Sequence, residues 1–149
     1  MNGTVDVLVD TTVWSLALRR KPHQLSGRET LLASELTELV KEGRAGIIGL
    51  IRQELLSGVR TDREFEHLRE RLIAFPDEPV YTHDHEEAAK ASNKCQAKGI
   101  TASIVDILIC TVAQRRGMAI FTADPDFHHY SRVLTLKLHA PRPEHRRIQ

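Results

Sequence analysis

The chain has 149 residues, a formal net charge of +1, 41% hydrophobic residues and 5% aromatic ones. That length is one domain able to bury a core of its own, and the composition excludes a disordered chain. Two cysteines without a CxxC spacing exclude a disulfide or zinc scaffold, the near-neutral charge carries no global signal for nucleic acid, and no leader or membrane-length apolar run is visible, so a reducing cytoplasmic setting is expected.

Residues 5–9, VDVLV, are apolar and β-branched with little polar alternation and read as a strand buried on both faces, as in a parallel sheet. Asp10 stands where that strand emerges, and ligands of open α/β sheets bind beyond the carboxyl ends of the strands. Residues 12–20 continue as a helix that ends at the Arg19, Arg20, Lys21 run and Pro22. Ser26 with Glu29 forms a capping box for a helix carrying Leu32, Leu36, Leu39 and Val40, which stops at Gly43. A second buried strand is expected over 45–50, then a helix over 51–57 containing Glu54, with Gly58 as its stop. An amphipathic helix follows over 61–72, with Phe65, Leu68 and Leu72 on its core face.

Residues 75–79 form a proline-punctuated turn and 80–81 a two-residue strand candidate. A polar helix over 83–98 is closed by Gly99. Residues 103–116 make the most apolar helix, with apolar side chains from Ile104 to Ala113 nearly all round it, and Gly117 ends it. A strand over 119–121 leads into TADPDF at 122–127, and 133–136 is a last strand. From Pro141 the tail is basic and is expected to fray. Strands alternating with helices imply βαβ units and a parallel sheet of about five strands.

Four acids stand at element junctions, Asp10, Glu54, Asp106 and Asp124, with Asp126 a fifth. Each has an ordinary structural explanation. Asp10 can cap the following helix, and Ser103 with Asp106 resembles a capping box at a helix dipole. Asp124-Pro125 resembles an N-cap with proline at the first helical position, and Glu54 can simply be solvated. Together they say more. Asp106 lies near the start of the most apolar helix with no lysine or arginine within a turn of it, and an unpaired buried charge is costly. Carboxylates converging at one sheet edge repel one another, and a divalent cation resolves the repulsion. Mg²⁺ and Mn²⁺ take hard oxygen ligands, keep several waters and suit phosphodiester hydrolysis.

Four runs in order, VDTTVW (9–14), IGLIRQEL (48–55) with Gly58, DILI (106–109) with Ala113, and TADPDF (122–127), resemble the PIN-domain family, and within it the VapC-type toxins of bacterial and archaeal toxin–antitoxin pairs. The resemblance implies a three-layer α/β/α PIN nuclease domain over 1–138, with a flexible basic tail over 139–149. It implies an endoribonuclease that hydrolyses RNA phosphodiester bonds by Mg²⁺-activated water. Asp10, Glu54, Asp106 and Asp124 would hold Mg²⁺ or Mn²⁺, with Asp126 nearby and Thr11 and Thr122 orienting the acids or water. It also implies a cognate antitoxin laid across the acids, and a homodimer, for which Trp14 and the helices around 32–39 and 65–72 are candidate apolar surfaces. Thr12 stands where serine is common in the family, and Cys110 and Thr111 where alanine often stands.

Other groups are weaker candidates. His83-Asp84-His85 reads as solvated sooner than as a metal site, and His128-His129 as an exposed turn sooner than a phosphate contact. Arg19, Arg20, Lys21, Arg115 and Arg116 are as consistent with a solvated surface as with RNA phosphates. A phosphohydrolase of the haloacid dehalogenase kind would need an acid at position 12, where threonine stands. A receiver-like switch would need an acidic pair and a late lysine that are not evident. A catalytically inactive RNA- or protein-binding module stays open as an alternative, although all the acids are present.

Overall fold

The structure, a computed structural model, describes residues 3–143. Strand β1 (Val7–Val9) runs into helix α1 (Thr11–Leu18), followed by α2 (Gly27–Lys41), β2 (Ala45–Gly46), α3 (Gly49–Leu56) and α4 (Asp62–Leu72). Then come α5 (Thr82–Ala97), α6 (Ile104–Arg116), β3 (Ala119–Phe121) and the short α7 (Asp126–Tyr130). All pairing in the sheet is parallel, in the order β2-β1-β3, with Leu8 opposite Gly46 on one side and Ile120 on the other. The three residues of β1 are fully buried, which is why they show no polar alternation. Helix α1 packs against α2 and α3, and α3 against α4, while α5 pairs with α6, and α6 lies against β1 and β3. This is the α/β architecture of a parallel sheet flanked by helices.

Among the described residues three strands form instead of about five. The pair expected at 80–81 does not form a strand; the chain instead meets the sheet earlier, at a single bridge between Asp77 and Ile47, with the Glu78 N–H donating to the Ile47 carbonyl (2.7 Å). Pro76 and Pro79 on either side have no N–H to continue a ladder. The strand expected at 133–136 is also replaced. Val133 and Leu134 donate to the Tyr130 carbonyl (3.0 and 2.8 Å), closing a turn out of α7. Sheet pairing falls later, where the Ile120 N–H donates to the Lys137 carbonyl and the His139 N–H to the Ile120 carbonyl (both 2.7 Å).

The tail is therefore tied down at its start. His139 Nε2 lies 2.6 Å from Glu35 Oε2, and the Arg142 guanidinium forks onto both carboxylate oxygens of Glu42 (2.8 and 3.1 Å) while Nε reaches Glu35. Residues 144–149 of the expected tail lie outside the described residues.

The core joins all layers. Trp14 is buried, stacks near Phe75 (4.9 Å between ring centres) and donates its indole N–H to the Val9 carbonyl (3.0 Å). Leu32, Leu36, Leu39, Leu68 and Leu72 are buried in the same cluster, and Phe65 is half-buried. The side chains expected to offer a dimer surface therefore pack within one chain. Helix α6 departs in one place from the all-round burial its composition predicts: Ile107 to Ala113 are buried, but Ile104 in its first turn is 80% exposed.

Candidate active site

The sheet reverses direction at β1: β2 lies on one side and β3, which follows much later in the chain, on the other. Such a switch point opens a crevice beyond the strand ends. Asp10 leaves β1 and Thr122 leaves β3 at this crevice, and the Asp10 N–H donates to the Phe121 carbonyl (2.8 Å), carrying the pairing one step past the strands.

Asp10 occupies the N-cap position of α1, but its side chain makes no cap hydrogen bond. One of its oxygens, Oδ2, accepts two hydroxyls instead, from Thr12 (2.7 Å) and Thr122 (2.8 Å). Each hydroxyl has only one proton, so both are committed to Asp10, and their lone pairs serve the loop after β3. The Ala123 N–H donates to Thr12 Oγ1 and the Asp124 N–H to Thr122 Oγ1 (both 3.0 Å). Two threonines thus lock the ends of β1 and β3 around one carboxylate that is only 3% exposed. Burial raises the Asp10 carboxyl above its ordinary value, against the pull of the two hydroxyls.

Asp106 reaches the same place from the first turn of α6. Ser103 accepts the Asp106 N–H (3.0 Å), which realises the expected cap. The Asp106 carboxylate accepts the Tyr130 hydroxyl at Oδ2 (2.9 Å). Burial, and after it the charges of Asp10 and Asp124, push its carboxyl up to about 6 although the Tyr130 hydroxyl pulls down. No cation is among the main influences on Asp10 or Asp106. Asp124 Oδ1 accepts the Asp126 N–H (2.9 Å), so part of its role is to start α7. Asp126 is exposed, and its charge joins those of Asp106 and Asp124 in raising the Tyr130 hydroxyl, behind the larger effect of burial.

Glu54 stands apart from these three. It is exposed on α3 and accepts the Thr11 hydroxyl (2.6 Å), which ties it to the residue after Asp10. A cavity of about 380 Å³ lined by Thr11, Leu50, Gln53, Glu54, Ser57 and Val105 places it across from the start of α6.

Among the described residues, no group of three or more His, Cys, Asp or Glu side chains is placed to hold a metal ion. The donors still fit a hard cation: they are carboxylate oxygens, the charges of Asp10 and Asp124 raise the affinity of Asp106 for positive charge, and Mg²⁺ characteristically needs only one or two carboxylates with water and phosphate completing its shell.

Sequence reasoning named five candidate acids with Thr11 and Thr122; the structure places Asp10, Asp106 and Asp124 near one another, ties Glu54 to Thr11 and leaves Asp126 exposed. Sequence reasoning treated Thr12 only as a departure from serine and overlooked Tyr130. The position of Thr12, two residues past an acid at a strand end, was a usable signal. Tyr130 carried none, since it lies 24 positions from Asp106 and meets it only in the folded chain. The histidine-flanked acid at 84 is not a metal site: Asp84 is buried and paired with Arg115.

Replacing Thr122 by Val keeps the shape and removes the hydroxyl. Asp10 then loses one of its two side-chain donors and the Asp124 N–H loses its acceptor. The expected loss is about 2–3 kcal/mol, or a fall of roughly 5–10 °C in melting temperature. Thr122→Ser should keep most of the stability, and a Val variant melting with the wild type would show that the lock does not exist.

The family model for the PIN domain matches residues 7–133. The fold is similar to FitAcB from Neisseria gonorrhoeae, with 19% identity, a TM-score of 0.69, and coverage of 91% of this chain and 97% of that one. It is similar to VapBC2 from Rickettsia felis bound to a DNA fragment from their promoter, with 14% identity, a TM-score of 0.69, and coverage of 89% and 96%. It is also similar to DNA-bound VapBC from Salmonella typhimurium, with 12% identity, a TM-score of 0.68, and coverage of 91% and 98%. No curated protein matches.

Proposed function

The chain belongs to the PIN-domain family, a family of nucleases, and from that membership we propose that it is a divalent-metal-dependent endoribonuclease acting as the toxin of a toxin–antitoxin pair. The observation that carries this reading is the meeting of Asp10, Asp106 and Asp124 at the sheet's switch point, with Asp106 pushed up to about 6 and no cation among the main influences on it.

Asp10, Asp106 and Asp124 would hold the ion, Mg²⁺ or Mn²⁺, with Glu54 and the more peripheral Asp126 completing the acidic rim. A divalent cation bound there supplies Lewis-acid activation of water and neutralises charge that develops on the phosphate. The chain's own part is positional. Thr12 and Thr122 hold Asp10 in one orientation, Tyr130 holds Asp106, and the Thr11 hydroxyl holds Glu54. Donors fixed before substrate arrives need not be reordered during the reaction. The haloacid dehalogenase alternative loses support from the same geometry: Asp10 is 3% exposed with one oxygen occupied by two hydroxyls, a poor nucleophile.

The proposed partner is a cognate antitoxin, supported by the similarity of the fold to DNA-bound VapBC and to FitAB bound to a DNA fragment. An arginine from such a partner would pair well with the acidic cluster. Homodimerisation is carried over from the resemblance and is tested by sedimentation at high concentration; the proposed cytoplasmic setting rests on the cysteine usage. Among the described residues no helix is long and apolar enough to cross a membrane.

The purified chain should cleave single-stranded RNA with Mg²⁺ or Mn²⁺, lose cleavage in excess EDTA and regain it when metal is restored. Undiminished cleavage in EDTA rejects the metal-dependent mechanism.

A further inference from the structure

Several arginines among the described residues are used internally. Arg20 pairs with Glu29, Arg44 with Asp6 and Glu42, and Arg52 with Asp77. Arg115 and Arg116, candidates for holding RNA, pair instead with Asp84 and Glu78. Three basic side chains beside the acids differ. Lys98 ends α5, and His129 and Arg132 lie on and just after α7; all three are exposed. They line one cavity of about 690 Å³ between the α5–α6 connection and α7, a volume in the range of ligand clefts. Its walls also include Asp126, Tyr130 and the apolar Val133. Tyr130 is the residue that holds Asp106, so the cavity is separated from Asp106 by that one side chain, and Asp126 is the acid on its wall.

A phosphodiester brought to carboxylates is repelled unless positive charge lies alongside. The bound metal offsets that repulsion at the scissile phosphate only, and neighbouring phosphates need cations of their own. With a net charge of +1, the molecule as a whole supplies no long-range attraction, so the local placement of cations matters more. We propose that the cavity between the α5–α6 connection and α7 is the track for the RNA backbone on one side of the scissile bond, with Lys98, His129 and Arg132 facing its phosphates. This rests on the nuclease reading and adds the direction in which the substrate leaves the centre.

The test uses the full chain in EDTA and a fluorescently labelled single-stranded RNA 12-mer, with binding followed by anisotropy across a sodium chloride series. The double variant Lys98→Gln/Arg132→Gln should weaken binding about tenfold at low salt. It should also lower the log–log salt slope by about 1.4, since each phosphate contact on a single strand contributes about 0.7. A control, Arg19→Gln/Lys21→Gln, removes two exposed charges beyond the far end of α1 from Asp10 and should keep the wild-type slope. Thermal melts should be unchanged in all of them, as none of these side chains belongs to the core.

A groove variant with wild-type affinity and slope overturns the proposal, as does a control that loses as much as the groove variant. A wild-type chain that binds no RNA at about 100 μM protein also overturns it and points to a protein segment as the occupant. The two readings fail separately. RNA bound through the groove cations but never cut with metal present supports the track and rejects the nuclease. RNA cut by the groove variant with wild-type KM supports the nuclease and rejects the track.

Discussion

Replacing Asp106 by Asn is expected to abolish RNA cleavage and, at the same time, to stabilise the metal-free protein. The two effects share one cause. Asp106 sits near the charges of Asp10 and Asp124, and burial with their repulsion raises its carboxyl from 3.8 to about 6. The ionised form is thus disfavoured in the folded state relative to the unfolded one. Raising a carboxyl that far corresponds to about 3 kcal/mol at neutral pH, and screening of a half-buried group reduces the expected gain to about 1–2 kcal/mol. The folded protein binds a proton more tightly at this site than the unfolded chain does. In chelator, wild-type stability from this group is therefore present below pH 4 and is lost as pH rises through about 6. Asp106→Asn should lack that decline. Asn still accepts the Tyr130 hydroxyl, so the local fold stays.

Cleavage should nevertheless fall roughly 100-fold or more, since even the residues that orient metal ligands commonly matter by 10–100-fold. Added Mg²⁺ should raise the wild-type melting temperature by mass action and that of Asp106→Asn clearly less. Thermal melts with and without Mg²⁺, beside a cleavage assay, read all of this. An Asn variant that cuts RNA at the wild-type rate and responds to Mg²⁺ like the wild type would sink the assignment of Asp106 to the metal.

Arg115→Ala is expected to be the most destabilising single change at the surface of this molecule. Asp84 is fully buried near the start of α5, where it accepts the Tyr81 N–H (2.8 Å) and pairs with the Arg115 guanidinium from the last turn of α6. Burial raises the Asp84 carboxyl, but the Tyr81 N–H and Arg115 outweigh it and hold it below the usual carboxylate range. Removing the guanidinium leaves a buried carboxylate with a single backbone donor and the charge of Arg116 at its side. Breaking a buried pair in this way costs about 3–5 kcal/mol, a fall of roughly 10 °C or more for a domain of this size.

The pH dependence should reverse as well. In the wild type the depressed carboxyl contributes stability above the unfolded pKa near 3.8, and that stability is lost as pH falls. In Arg115→Ala burial dominates, so the variant gains stability relative to the wild type as the medium is acidified, and the gap narrows. Asp84→Leu combined with Arg115→Ala should recover part of the loss, because no charge is then left buried. A single variant within about 0.5 kcal/mol of the wild type at pH 7 would show that the pair does not join the two helices.

Much of this molecule was readable before any coordinates. The buried run at 7–9, the Ser26 and Ser103 caps, and the stops at Gly43, Gly58, Gly99 and Gly117 are local features. At these four glycines φ is positive, between 65° and 83°, a backbone state that side-chain-bearing residues resist and that a lone glycine announces. The acids were legible for a related reason: strand ends and helix starts are where local pattern changes, and Asp10, Asp106 and Asp124 each sit at one. What only the tertiary structure decided is which of those junctions meet. Two hydroxyls more than a hundred positions apart close on Asp10, and Tyr130 finds Asp106 across α7. Such contacts have no signature in a window of neighbouring residues, because they depend on the register of β1 against β3. The third kind of information lies in competition for partners. Arg115 and Lys98 look equally basic in sequence, yet burial of Asp84 claims the first for the fold, while the second is left facing the cavity beside the acids.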